Sequence, residues 1–287
     1  MIELSNMNIC KISIIGAGTM GRGIAQLLIE NSFQVCLFDK NKNVLASSLT
    51  EIKKRLLKSQ QKNPTQTKKS VHEMLFVSNN IEEASKNELI IEAVSEKIRI
   101  KKEIISQIDR FAPKEAIICS NTSSLNIDII SSDTSRSSKI IGLHFFNPPT
   151  IMPLVEITRG TQTSDKTFEI VRLFSERLGK ISINVKNSPG FVVNRILFTM
   201  INEAIRALEQ GVAKAEDIDR AMVLGARHPI GPLSLADFVG LDVTLDILEA
   251  LEKDLSNPVY KPCELLRKKV THGNLGRKSG QGFFSYD

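Results

Sequence analysis

Residues 14–26 read IIGAGTMGRGIAQ, and this glycine-rich stretch decides the fold. It continues a short apolar run, 9–15, of the kind found in strands that are buried on both faces of a parallel sheet. A helical pattern follows and ends near Asn31, and a second apolar run, 35–38, closes at Asp39. Strand, glycine turn, helix and strand within about 30 residues predict a βαβ unit.

The spacing G-x-G-x-x-G in this unit predicts a dinucleotide site, the alternative being a glycine turn in an unrelated α/β protein. Gly16 allows the tight turn, Gly18 lets the backbone approach a pyrophosphate at the helix amino terminus, and Gly21 lets the helix pack on the strand. The predicted cofactor contacts in the turn are Gly16, Ala17, Gly18, Thr19, Met20 and Gly21. Asp39 would accept from the ribose hydroxyls and repel a 2′-phosphate, which favours NAD, although Arg22 and Lys40 act against that preference.

Apolar runs and helical patterns alternate as far as residue 185. The predicted elements are helices at 43–58, 98–111 and 166–178 and strands at 88–94, 116–119, 139–143, 154–158 and 181–185. The Lys-, Gln- and Asn-rich stretch 58–70 is predicted to be a solvated helix end or a helical hairpin. This order predicts an α/β fold with a Rossmann-type, doubly wound, mainly parallel sheet.

The strand signal stops at Asn187, where an all-helical carboxyl-terminal domain begins. Its first helix carries apolar residues at helical spacing from Val193 to Leu208, and Gly211 is placed to end it. Further helices are predicted at 216–224, 233–255 (broken at Gly240) and 262–270. The predicted domains are therefore 1–186 for NAD binding and 187–287 for substrate binding and dimerisation.

Composition excludes several classes of protein. The 287 residues are 41% hydrophobic and 24% charged, which is typical of a globular chain. Residues 1–8 lack the apolar core of a signal peptide and no run is long enough to cross a membrane, so a cytoplasmic location is expected. The four cysteines lie too far apart for C-x-x-C patterns, and no metal site is predicted. A net charge of +6 leaves nucleic acid, an anionic small ligand or no ligand open.

Four polar residues occupy positions where a polar side chain is unusual unless it has a partner or a function. His144 follows the predicted strand 139–143, and Ser123 lies just after the strand 116–119, so both are expected at the carboxyl edge of the sheet, where ligands bind. Glu156 interrupts an apolar strand, where a carboxylate is costly unless it is paired. Asn194 opens the first helix of the second domain. Each has a structural interpretation of its own, but together they predict a proton-transfer pair with two polar substrate anchors.

Further motifs extend the pattern over nearly the whole chain. In order they are LIIEAVSE from Leu89, SNTSSL from Ser120, GLHFFNPP from Gly142, LVEI from Leu154, NSPGFVVNRIL from Asn187, HPIGPLSLADFVGLD from His228 and GRKSGQGFF from Gly276. With IIGAGTMGRGIAQ they resemble the L-3-hydroxyacyl-CoA dehydrogenases, and in particular the short bacterial members of that family.

The resemblance implies a role for each matching residue. His144 would be the general base, Glu156 would orient it, and Ser123 and Asn194 would bond the substrate oxygens and the nicotinamide region. The residues implied to line the NAD site are Glu96, Lys101, Asn121, Ser123, Asn147 and Lys278. Ser95-Glu96-Lys97 departs from the family's usual Val-Glu-Asn. The Lys-rich helix is expected to bind coenzyme A through Arg55 and Lys62, and Ser123 is expected to contact the substrate.

The implied activity is NAD-dependent interconversion of L-3-hydroxyacyl-CoA and 3-ketoacyl-CoA, with 3-hydroxybutyryl-CoA and acetoacetyl-CoA as the short-chain pair. The implied partners are an acyl-CoA substrate and a second copy of the chain in a homodimer, with neither membrane nor nucleic acid. Three alternatives stay open: a dehydrogenase of a free hydroxy acid, such as the gulonate type or the lysine-dependent β-hydroxyacid type, a non-catalytic NAD-binding protein, and a nucleic-acid binder. An aromatic content of 5% without tryptophan disfavours the last.

Overall fold

A computed structural model describes residues 9–62 and 71–286. They divide into two compact units whose boundary lies between Ser188 and Pro189, two residues after the predicted one. We call these the sheet unit and the helical unit. The expectations for residues 1–8 and for the 63–70 part of the polar stretch lie outside the described residues.

The sheet unit contains eight strands in the order β3-β2-β1-β4-β5-β6-β7-β8. Their bounds are β1 Lys11–Ile15, β2 Gln34–Phe38, β3 Leu75–Ser78, β4 Leu89–Glu92, β5 Ile117–Ser120, β6 Ile140–Phe145, β7 Leu154–Arg159 and β8 Ile181–Val185. Within the described part of the chain, neighbouring strands are parallel except β6 and β7. The prediction of a mainly parallel, doubly wound sheet is confirmed. The strand order reverses between β1 and β4, and in such sheets a ligand binds outside the carboxyl ends of the strands at that switch point.

Helices cover the sheet, and apolar clusters lie among its buried residues. The helix bounds are α1 Thr19–Glu30, α2 Lys42–Lys62, α3 Val71–Met74, α4 Ile81–Ala84, α5 Ile98–Phe111, α6 Ile127–Ser131 and α7 Asp165–Arg177. One cluster includes Phe33 and Phe174, whose rings meet edge to face with centroids 5.8 Å apart. A second cluster includes Ile105 and Ile108 on the buried face of α5. The amphipathic pattern of α5 explains why its predicted bounds agree with the structure.

Two features of the sheet unit differ from the sequence-based expectation. His144 lies inside β6 rather than after the strand, because β6 continues to Phe145. The elements α3, β3, α4 and α6 were not predicted. Each has only four or five residues, and β3 exposes Phe76 and Val77. Such short segments bury too few side chains to give a periodic signal.

Among the described residues, the helical unit is built of helices and turns with two isolated β-bridges near its carboxyl end, as predicted for a helical carboxyl-terminal domain. Its helices are α8 Val193–Glu209, α9 Ala215–Gly225, α10 Pro232–Val239, α11 Leu241–Leu255 and α12 Glu264–Thr271. Gly240, at φ +107°, separates α10 from α11 where the break was expected. The buried Asp237 carboxylate accepts from Phe283 N and Phe284 N at 2.9 Å each and thereby fixes the carboxyl-terminal segment. No helix of the described residues is long and apolar enough to cross a membrane.

Candidate active site

The glycine turn between β1 and α1 is shaped by close contacts within its own backbone and with the backbone that follows β4. Gly16 has φ +110°, and a Cβ on it would lie 2.6 Å from the Ala93 carbonyl oxygen. A Cβ on Gly21 would lie 1.8 Å from the Gly16 carbonyl oxygen, so the turn itself, more than β1, demands this glycine. A Cβ on Gly18, by contrast, would have no atom of the described residues within 4 Å. Gly18 therefore borders open space.

Asp39 connects the end of β2 to this turn. Its Oδ2 accepts from Ala17 N at 3.0 Å, and its Oδ1 accepts from Asn41 N at 3.0 Å. A cavity of about 380 Å³ lies beside it. The cavity is lined by Gly16, Gly18, Phe38, Asp39, Lys40, Ala93, Val94, Ser95, Ile100, Glu103, Ile104 and Gln107. Lys40 thus borders the same space as Asp39.

These residues fit the adenosine and pyrophosphate portions of NAD. The first N–H groups of α1 lack intrahelical acceptors and form an anion site at the helix amino terminus. Because the space around Gly18 is open, a phosphate can lie against the backbone there. Phe38, Val94 and Ile104 give the cavity an apolar wall for a base, and Asp39 gives it an acceptor for ribose hydroxyls.

His144 and Glu156 form a buried pair on β6 and β7. The two are direct partners in the antiparallel register, and Nδ1 of His144 lies 2.8 Å from Oε2 of Glu156. Glu156 is fully buried and His144 is 7% exposed. The tautomer that donates from Nδ1 to the carboxylate makes Nε2 the basic nitrogen of the imidazole. The arrangement can therefore take up a proton at Nε2 and stabilise the resulting cation through Glu156.

Asn121 connects the end of β5 to β6 beside this pair. Its Oδ1 accepts from Phe145 N at 2.9 Å, and its backbone N–H donates to the Glu92 carbonyl at 2.7 Å. The side chain continues the hydrogen-bond ladder of β6 beyond the last residue of β5. Asn121 thus holds the backbone next to His144, and its implied contact with NAD stays a prediction.

Glu96 binds the loop that follows β5. Its Oε1 accepts from Thr122 Oγ1 at 2.5 Å, Ser123 N at 2.8 Å and Ser123 Oγ at 3.2 Å. Its Oε2 lies 3.3 Å from Nζ of Lys101. The structure thus brings together three residues predicted for one site, Glu96, Lys101 and Ser123.

Lys101 has no exposed surface and pairs with a residue that the sequence argument missed, Glu92. Its Nζ lies 2.8 Å from Glu92 Oε1. Burial works to lower the pKa of Lys101, but the carboxylates of Glu92 and Glu96 outweigh it and raise the pKa above its ordinary value. The signal that could have found Glu92 is a carboxylate ending the apolar run LIIE, the same kind of signal that identified Glu156 in LVEI.

Asn147 is exposed and opens the loop between β6 and β7. The buried Lys180 donates from Nζ to the carbonyls of Pro149 at 2.6 Å and Met152 at 2.8 Å. These two bonds anchor the loop. A Cβ on Gly23 would lie 2.7 Å from Cδ of Pro149, which means that α1 needs glycine there for the loop to pack against it. The implied contact of Asn147 with NAD stays a prediction.

The two residues chosen for coenzyme A lie on α2. Nε of Arg55 donates to Glu51 Oε1 at 2.8 Å, and this bond lowers the pKa of Glu51. Arg55 therefore already shares its charge with a carboxylate. Lys62 is the last residue of α2, and its side chain lies outside the described residues.

The remaining predicted residues, Asn194 and Lys278, belong to the helical unit. Asn194 lies in the first turn of α8 and is partly exposed. Nζ of Lys278 binds both carboxylate oxygens of Asp242 at 2.5 Å. Burial works to raise the pKa of Asp242, but the hydrogen bonds from Lys278 and the Val243 backbone N–H and the charge of Lys278 together outweigh it and lower the pKa. The roles of Asn194 and Lys278 in the site stay predictions.

Comparison with known proteins gives matches along both units. Residues 11–188 match the NAD-binding domain of 3-hydroxyacyl-CoA dehydrogenases, and residues 190–286 match their C-terminal domain. The chain is 45% identical over 283 residues to a probable 3-hydroxybutyryl-CoA dehydrogenase of Bacillus subtilis, covering 98% of this chain and 99% of the relative. It is 40% identical to the mitochondrial hydroxyacyl-coenzyme A dehydrogenase of Homo sapiens, covering 96% and 90%. The crystal structure of (S)-3-hydroxybutyryl-CoA dehydrogenase from Ralstonia eutropha has a TM-score of 0.91 at 41% identity, covering 98% and 100%.

Proposed function

This chain belongs to the 3-hydroxyacyl-CoA dehydrogenase family, and we propose that it interconverts 3-hydroxybutyryl-CoA and acetoacetyl-CoA with NAD. The matches to both domains of the family confirm the resemblance seen in the sequence and the assignment of the chain as an NAD-dependent oxidoreductase. The short acyl chain is supported by the names of the bacterial relatives. The observation that carries the proposal is the contact of 2.8 Å between His144 and Glu156 at the carboxyl end of β6.

The chemistry follows from that pair. In the oxidation, Nε2 of His144 takes the proton of the 3-hydroxyl while C3 loses a hydride, and the alcohol becomes a ketone. NAD supplies the hydride acceptor when it is bound. The Glu156 carboxylate stabilises the imidazolium that forms, since a charged partner in a buried site favours the protonated ring. In the reduction, His144 returns the proton to the ketone oxygen.

The other site residues hold the reactants. Ser123 and Asn194 hydrogen-bond the substrate oxygens, the glycine turn from Gly16 to Gly21 holds the pyrophosphate, and Asp39 holds the ribose. Glu96, Asn121, Asn147 and Lys278 line the NAD site. Lys101 belongs to this group by resemblance and is fully buried.

The surplus of positive charge suits coenzyme A, which carries three phosphates. The net charge is +6, and α2 carries Lys53, Lys54, Arg55 and Lys58. We assign the phosphates to this helix, with Arg55 and Lys62 as the contacts, because basic side chains raise the local concentration of anionic ligands. We also assign the helical unit to a homodimer interface, as the family resemblance implies, and propose a cytoplasmic location.

The deciding experiment measures NADH consumption by the purified protein. Acetoacetyl-CoA, longer 3-ketoacyl-CoAs and the free keto acids are compared, with NADPH in parallel. Acetoacetyl-CoA is expected to have the highest kcat/KM. Turnover of only the free acids would reject the acyl-CoA substrate. NADH binding without turnover of any of these compounds would reject the dehydrogenase activity.

A further inference from the structure

Two buried charged residues, Glu92 and Lys101, are connected through Glu96 to the loop that carries Ser123. Glu92 ends β4, Lys101 lies in α5, and neither side chain has any exposed surface. Burying an ion pair costs several kcal/mol per ion by general estimates, and the mutual attraction recovers this only with good geometry and further hydrogen bonds. The pair therefore calls for an explanation beyond stability.

Glu92 is held firmly in place. Its Oε1 accepts from Val94 N at 2.7 Å as well as from Lys101, and its Oε2 accepts from Ser120 Oγ at 2.6 Å. Bonds on both oxygens prevent the carboxylate from turning. Glu92 thus fixes the position of the Lys101 ammonium group.

The donors of Lys101 face protein acceptors. An ammonium group offers three N–H donors, and three acceptors surround this one. They are Glu92 Oε1 at 2.8 Å, Glu96 Oε2 at 3.3 Å and the Val94 carbonyl at 3.4 Å. Of these, Glu96 is the acceptor that also binds the loop with Ser123, so Lys101 acts on this loop through Glu96.

Glu96 passes this constraint to the loop. Its side chain is 36% exposed, so without Lys101 it could rotate into solvent. Held by Lys101, it accepts from Thr122 Oγ1, Ser123 N and Ser123 Oγ. Thr122 Oγ1 in turn accepts from Ser124 N and Leu125 N at 3.3 and 2.9 Å. The whole turn after β5 is thereby fixed.

We propose that Glu92 and Lys101 are positioning residues that act through Glu96 to hold the Ser123 hydroxyl in place for the substrate. This inference rests on the proposed function, because it takes the substrate contact of Ser123 from there. It gives Lys101 a task in supporting the loop, beside its expected place in the NAD site.

The test removes both buried charges while keeping the shape of the side chains. The double variant Glu92→Gln/Lys101→Met leaves neither charge unpaired, whereas each single variant does. We expect its Tm to stay close to that of the wild type. Its kcat/KM for acetoacetyl-CoA should fall by about 10-fold or more, as small misplacements of a substrate-binding group do. Adding Glu96→Gln to the double variant should cost less than about 2-fold more, since residues of one chain of contacts are not additive. An unchanged kcat/KM, or a full additional loss from Glu96→Gln, overturns the proposal.

Amide hydrogen exchange gives a readout that does not need turnover. The amides of Ser123, Ser124 and Leu125 should exchange about 10-fold faster in the double variant, with those of β4 and β5 unchanged, because local opening is governed by local bonds. Unchanged exchange overturns the proposal. If the wild type fails to turn over acetoacetyl-CoA, the proposed function falls, and the exchange result still decides whether Glu92 and Lys101 hold the loop.

Two further variants complete the test. Glu96→Gln changes a partly exposed side chain and is expected to fold even if the double variant does not. It should accelerate exchange of the same three amides, and the opposite result overturns the proposal. The matched control is Lys102→Met, which removes the neighbouring lysine from its surface pair with Asp133. It should leave exchange and kinetics as in the wild type.

Discussion

His144 and Glu156 face each other across β6 and β7, with 2.8 Å between Nδ1 and Oε2. Directly opposed residues of an antiparallel pair have Cβ atoms about 4.5–5.5 Å apart and point to the same side. The sheet itself, and not a loop, therefore sets the distance between the base and its carboxylate. A site built in this way is in place before the substrate binds.

Replacing His144 by Gln should remove proton transfer but keep a donor for Glu156. An amide N–H can still bond the buried carboxylate, so the fold should survive, but an amide cannot act as a base. We expect kcat to fall by about 10²–10⁴, the usual contribution of a positioned general base. Stopped-flow or steady-state NADH oxidation measures kcat, and NADH fluorescence titration should give a Kd within about 3-fold of the wild type. Turnover above a tenth of the wild-type rate would exclude His144 as the base.

Glu156→Gln should impair the reaction through His144. The glutamine oxygen can accept from Nδ1, so the ring orientation persists, but the charge that stabilises the imidazolium is lost. We expect kcat to fall by about 10²-fold, with little change in the KM for NADH. Glu169→Gln makes the same change in a surface pair with Arg172 on α7 and should have no effect. Equal kinetics of the two variants would show that Glu156 does not act on the base.

The apolar runs predicted most of the sheet, since strands buried on both faces need continuous apolar sequence. His144 was expected just after the strand 139–143 but lies inside β6, and this difference has a physical reason. β6 continues to Phe145 because residues 143–145 pair with β7, and Asn121 Oδ1, 24 residues away in the sequence, accepts from Phe145 N. Neither periodicity nor propensity reports a bond between a side chain and a distant backbone N–H.

The site was only partly predictable for a similar reason. A carboxylate inside an apolar strand pointed to Glu156, and its partner in the structure is the expected histidine. Glu92 gives the same signal but was not predicted as a site residue, because nothing in the sequence indicated that Lys101 of α5 would reach it. Which donors a buried lysine has already used depends on packing between elements, and that information lies in three dimensions only.

Asp39→Asn should weaken the preference for NADH over NADPH. The substitution removes the charge that repels a 2′-phosphate and weakens the bond to a ribose hydroxyl, and bonds to charged groups are worth about 1.5–3 kcal/mol. We expect the ratio of kcat/KM for NADH and NADPH to fall by about 10-fold or more. Initial rates at saturating acetoacetyl-CoA measure both values. The control Asp165→Asn changes an exposed carboxylate at the start of α7. A ratio unchanged from the wild type would reject the cofactor role of Asp39.

Asp109 should make stability depend on pH in the acid range. Burial works to raise its pKa, but bonds from Ser135 and Arg136 outweigh it and hold the pKa below its ordinary value of 3.8. Because the folded pKa is depressed, the stabilisation is complete above the unfolded pKa and is lost as the pH falls through the folded one. Asp109→Asn should lower the free energy of unfolding by about 2 kcal/mol at neutral pH. The difference should shrink as the pH falls below the ordinary value of 3.8.

Urea unfolding of both proteins across this range measures the difference. Asp246→Asn, an exposed change on α11, should show no comparable loss at neutral pH. A gap between wild type and Asp109→Asn that stays constant down to the lowest pH would contradict the assignment to this carboxylate.

Gly18→Ala and Gly21→Ala should separate binding from folding within one turn. Gly18 has φ −69° and ψ −168°, which alanine adopts without strain, and an added methyl would meet no described atom within 4 Å. Its Tm should stay at the wild-type value, while NADH Kd should rise by about 10-fold or more because the methyl occupies the path of the pyrophosphate. Gly21→Ala would place a methyl 1.8 Å from the Gly16 carbonyl and should lose about 3 kcal/mol of stability. Thermal melts and NADH fluorescence titrations measure both. Wild-type NADH affinity in Gly18→Ala would mean that the cofactor does not approach the backbone at this turn.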